Sequence, residues 1–106
     1  VNTGELRIVE QIKSLIALEV SEFDETTDEG AATVRAFRQA LCEPEQVTAH
    51  FSGGVTQDCW TVTYSNGAYR VLFLPTAGYF SLCVESEIGP LDIGVHGKAI
   101  GCFSSV

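Results

Sequence analysis

Apolar residues recur at spacings of three and four through the first forty residues and at every second position through much of the remainder, so the patterning changes from helical to strand-like along the chain. Leu6, Val9, Ile12, Ile16 and Val20 form one helical stripe, which Ile8, Leu15 and Leu18 widen into a core-facing surface. Asn2 or Thr3 can cap this helix, with Glu5 in its first turn. The run Glu22, Asp24, Glu25, Asp28 and Glu29 breaks the stripe. Thr26 followed three residues later by Glu29 reads as a capping box for a second helix through Val34, Phe37 and Leu41, stopped by Pro44. Residues 43–54 fit either a helix start at Pro44 or a short edge strand from Val47 to Phe51, and the strand is the expectation, ended by Gly53-Gly54.

The rest of the chain consists of short β-rich runs between turn residues. A hairpin at Asn66-Gly67, read as type I′, sets Tyr64 opposite Tyr69, Val62 opposite Val71 and Trp60 opposite Phe73. A turn at Ala77-Gly78 then sets Phe73 against Leu82 and Val71 against Val84. Turns at Ile88-Gly89 and Gly97-Lys98 bring Ile93 to Val84, Val95 to Leu82 and Ile100 to Val95. All these apolar residues fall on one face, and a one-residue slip anywhere would break the agreement. Ala77 and Ile88 suit left-handed positions poorly, so those two turns are expected to be longer or bulged. The fold class that follows is α+β, with two N-terminal helices packed on one face of a roughly five-stranded antiparallel meander, in a single domain spanning residues 1–106.

Charge changes the picture in one respect. The chain carries 14 acids against 6 lysines and arginines, a formal charge of −8. The first 46 residues hold ten of the acids. Nucleic acid and anionic membranes are therefore poor partners, and a basic protein is a good one. No apolar run approaches a membrane span, and Glu5, Arg7, Glu10 and Lys13 interrupt any signal-like core, so a soluble, cytoplasmic protein is expected. Cys42, Cys59, Cys83 and Cys102 lack the spacing of a zinc knuckle. Free, mostly buried thiols are the expectation, with Cys42 the one candidate for a disulfide in an oxidising setting.

The sheet face opposite the aromatic one carries Thr61, Thr63, Arg70, Leu72, Leu74, Ser81, Cys83, Glu85, Asp92 and His96. It holds few charges for an open surface, which points to a partner, a self-dimer or a covering segment. On the reading that it is open, Leu72→Asp leaves a folded protein with altered association. Arg70 is expected opposite Glu85 with Asp92 beyond, either a cross-strand ion pair or two carboxylates available for acid/base work. Ser81 falls opposite His96 with Cys83 diagonal to it, residue types that a nucleophile and base require, but no nucleophile elbow or oxyanion loop accompanies them. The acidic run fails as an EF-hand, with Glu29 where Gly is needed and Arg35 where the bidentate Glu belongs. No catalytic residue, metal ligand or cofactor motif is assigned.

Three readings of function follow, in order. The first is a small acidic protein-binding module, inhibitor or immunity-type, that engages a basic protein through Glu22, Asp24, Glu25, Asp28 and Glu29. The second is a dimeric structural or small-ligand module using Arg70, Leu72, Leu74, Cys83, Glu85, Asp92 and His96 on the low-charge sheet face. The third is a hydrolase dependent on Cys83 or Ser81.

Overall fold

The computed structural model describes residues 3–106; the capping expectation at Asn2 lies outside them. Two helices, α1 (Thr3–Glu22) and α2 (Asp28–Ala40), precede five strands, β1 (Leu41–His50), β2 (Thr56–Thr63), β3 (Tyr69–Leu74), β4 (Tyr79–Val84) and β5 (Leu91–Gly97), and a short α3 (Ala99–Phe103) follows. The strands pair antiparallel in chain order. The sheet then curls until His50 at the end of β1 meets Leu91 at the start of β5 in a parallel pairing, which closes a barrel.

The two helices pack on the face expected. Ile12, Ile16 and Val20 of α1 and Val34 and Phe37 of α2 share one core with Trp60, Val62, Val71, Phe73, Phe80 and Leu82 of the sheet. Leu6 and Leu18, counted in the α1 stripe from sequence, lie outside it and are exposed. Trp60 pairs with Phe73 as expected. The turn that sets this pairing differs, since Gly67 alone takes a positive φ there, and Asn66 acts through its Oδ1, which accepts the N–H groups of Ala68 and Tyr69 at 2.9 and 2.7 Å. The β3–β4 loop is longer than two residues: Leu74 pairs with Tyr79 and Phe73 with Phe80, a slip of two positions from the expected register. An even slip leaves every side chain on its own face, so the core assignment survives.

Two expectations fail. The first concerns the second sheet face, which is a core and not a surface. Leu72 and Cys83 are 0% exposed and Leu74 3%, clustered with Cys59 and with Ala49 of β1 inside the barrel, where Val47 and Phe51 complete the cover. The short edge strand expected at residues 47–51 is thus the second half of a ten-residue strand that begins directly where α2 ends. Its pairing with β2 shifts between Leu41 and Glu45, a stretch that includes Pro44, which has no N–H to give a ladder. The resulting bend lets β1 wrap across the face that β2–β4 leave open.

The second failure is at the C-terminus, where residues expected to form a fifth meander strand fold as α3. A contact from far along the chain meets the start of this helix. Glu19 of α1 is buried, and its Oε1 accepts the N–H of Ile100 at 3.1 Å, which supplies the cap that Lys98 at the start of α3 does not. Ala99, Ile100 and Cys102 are thereby buried beneath the two long helices.

Leu72→Asp is therefore expected to unfold the protein, and Leu72→Ala to lower its stability by about 2–5 kcal/mol, the cost of a cavity in a packed core; urea titration followed by circular dichroism reads both. Glu19→Ala, which removes a charge-assisted hydrogen bond and leaves a helix N-terminus uncapped, should cost about 1.5–3 kcal/mol in the same assay. An unchanged midpoint would show that α3 is held without it.

Candidate functional site

The acidic segment forms the corner between α1 and α2, and its backbone is fixed by short-range hydrogen bonds. Phe23 anchors it against the core. Asp24 folds back on Thr26, accepting its N–H at 2.9 Å and its hydroxyl at 2.5 Å, and these two bonds hold the carboxyl below its usual titration range. The N-cap of α2 is Thr27 and not Thr26, with Thr27 Oγ1 accepting the N–H of Gly30 at 2.9 Å. The cap is thus displaced by one residue, which puts Gly30 where a capping box needs Glu or Gln, so the reciprocal half of the box is not made and Glu29 is left exposed. Gly30 is required by the packing of this turn, since a Cβ there would lie 2.1 Å from the carbonyl oxygen of Asp24.

Glu22, Asp24, Glu25, Asp28 and Glu29 are all exposed, and none of them is in an ion pair among the described residues. A rigid corner carrying unneutralised carboxylates presents a fixed negative field. Each exposed charge is worth little by itself in water, so such a field steers and selects a cationic partner more than it holds one.

The sheet-face candidates separate into interior and rim. Leu72, Leu74 and Cys83 are inside the barrel and unavailable to a partner. Arg70 and Glu85 form a bidentate pair at 2.8 and 2.7 Å on the rim. Arg70 holds Glu85 below its ordinary range and is itself raised by the carboxylate. The two side chains neutralise each other, which is the ion-pair reading of this row. Asp92, placed beyond Glu85 from sequence, is drawn into a different group.

That group depends on a bulge in β5. Cys83 pairs with Asp92 and Leu82 with Val95, so Ile93 and Gly94 are extra, and Gly94 takes a φ of 82°. Residues four apart in a straight strand are separated by about 13 Å. Here Asp92 Oδ1 lies 2.9 Å from His96 Nε2. The same Oδ1 accepts the hydroxyl of Ser81, and the His96 ring stacks on Tyr79 at 5.0 Å. Ser81 does pair with His96 across the strands, as read from sequence. Yet its proton is directed at Asp92, and His96 engages that same oxygen, so the imidazole does not sit where it would take the proton of Ser81. Ser81 is fully buried.

The thiols are buried in the same way. Burial raises Cys83 to about 12 and Cys59 and Cys102 to about 11, which keeps all three protonated at neutral pH. Cys42 is half-buried and raised for the same reason. All four are free. Among the described residues no three His, Cys, Asp or Glu side chains come together as a metal site, and no helix is long and apolar enough to cross a membrane. Sequence reasoning missed the bulge; its one signal was Gly94 within a strand pattern.

No protein-family model, curated protein or solved structure matches the chain.

The thiol chemistry gives a direct check. Maleimide labelling of the native protein at neutral pH, followed by peptide mapping, should modify Cys42 first and leave Cys59, Cys83 and Cys102 protected until denaturant is added. Selective labelling of Cys83 in the folded protein would mean that it is an exposed thiolate and would restore the nucleophile reading.

Proposed function

We propose that the protein is a small acidic protein-binding module, of the inhibitor or immunity type, whose α1–α2 corner engages a basic protein. The observation that carries this reading is the cluster of five exposed carboxylates, none of them in an ion pair among the described residues. The net charge of −8 extends the same field over the whole molecule. Charge complementarity of this kind raises the rate of encounter and excludes acidic competitors. The alternative, a dimeric or small-ligand module on the low-charge sheet face, loses the apolar part of its surface to the barrel interior. The hydrolase reading has a candidate nucleophile hydrogen-bonded to Asp92 and a thiol held protonated.

The test compares the wild type with a Glu25→Gln, Asp28→Asn, Glu29→Gln variant in affinity capture from the lysate of the protein's own source, at low and high salt. A basic protein retained only by the wild type, and only at low salt, is the expected outcome. Identical sets retained by both proteins would overturn the acidic corner as the binding surface, and recovery of nothing but a second copy of the chain would shift the reading to self-association.

A further inference from the structure

Exposed carboxylates attract a partner but hold it weakly, so tight binding requires a desolvated anchor nearby. A wide groove adjoins the acidic corner. It lies between α2, the β2–β3 hairpin and the residues after α3, with a volume of about 750 Å³. That is within the range of sites that bury a compact ligand group. Its floor is Val71 and Leu82, both almost fully buried, and its walls include Ala36 of α2 together with Tyr69 and Phe103. The short side chain of Ala36, which is exposed, leaves the space that a larger residue would fill.

Charge at this groove is one-sided. Arg70 lines it but is held by Glu85. Glu29 also lines it, and its carboxylate has no ion-pair partner among the described residues. Glu29 belongs at once to the groove and to the acidic corner, where it follows Asp28 directly in the first turn of α2. An apolar slot that ends on a free carboxylate, with further carboxylates beyond, is complementary to one kind of segment: a large apolar or aromatic side chain flanked by lysine or arginine.

We propose that this groove receives an apolar or aromatic anchor from the basic partner, while basic residues beside the anchor meet Glu29 and the α1–α2 corner. The inference rests on the protein-binding reading above and specifies the recognition element. The anchor supplies the slow dissociation that surface charge does not, and the charges set its direction along α2.

A random short-peptide library displayed on phage and selected against the immobilised full chain tests this. Enriched peptides should carry Trp, Phe or Leu next to Lys or Arg. Their affinity should fall at least about tenfold with Ala36→Trp, which fills the groove, and several-fold with Glu29→Gln. Circular dichroism confirms that each variant is folded. Amide chemical-shift mapping on the wild type, expected to move Ala36, Tyr69, Val71 and Phe103, serves independently if Ala36→Trp does not fold. Basic peptides that lack an apolar anchor, bind Ala36→Trp equally and leave those amides unmoved would overturn the groove and leave the basic-partner reading standing. Apolar peptides without basic residues would overturn the charge matching and the basic-partner reading with it, and the absence of any enrichment would overturn both.

Discussion

Val71, Leu72, Phe73 and Leu74 are consecutive in β3 and all buried, as are Phe80, Ser81, Leu82 and Cys83 in β4. Neighbours in a strand point to opposite faces, so these two strands must be covered on both sides. The chain has helices enough for one face only. The second face is covered by curling the sheet, so that the far half of β1 crosses it with Val47 and Ala49, and Phe51 just beyond the strand joins them. Closure through His50 and Leu91, and through the N–H of His50 on the carbonyl of Pro90 at 2.9 Å, fixes that curl. Most other features follow from this division, including the interior placement of two of the four cysteines and the burial of both faces of β3 and β4.

The two cores also decide where chemistry can occur. Ser81 and Cys83, with their proximity to His96, resemble a reactive group in one dimension of sequence. In three dimensions they lie on the inner wall of the barrel, where burial keeps the thiol protonated and the hydroxyl satisfied by Asp92. The polar residues that reach solvent are those the folding problem does not consume. The least consumed are the exposed carboxylates of the α1–α2 corner, which form no ion pair among the described residues. The charge of the chain and its architecture therefore point to the same region, the N-terminal end of α2.

Local pattern carried much of this. The stripe through Ile12, Ile16 and Val20 and the alternation around Trp60, Val62, Val71 and Phe73 depend on near-neighbour geometry, which a single sequence encodes, whereas Ser81 meets His96 only because the bulge in β5 offsets a shift of the β4–β5 turn. Errors in turn type were harmless to the face assignment because the β3–β4 slip was even. One misreading had a signal available: Val71-Leu72-Phe73-Leu74 is a continuous apolar run, the mark of a strand buried on both faces, and not the half-exposed strand read from its alternation.

The sequence by itself determined the α+β class, the face on which the helices pack and the position of the acidic run, because each is written in periodicity or composition over a few consecutive residues. The tertiary structure decided the rest, because it depends on partners distant in the chain. Residues 99–103 have strand-like alternation, yet they are helical, with Ala99, Ile100 and Cys102 packed into the core and Glu19, eighty-one positions before Ile100, at their N-terminal end. The low-charge face is core because β1 bends across it, and Asp92 meets His96 because a bulge removes the length between them. No local rule reports which distant carboxylate will reach an uncapped helix or which strand will close a curled sheet.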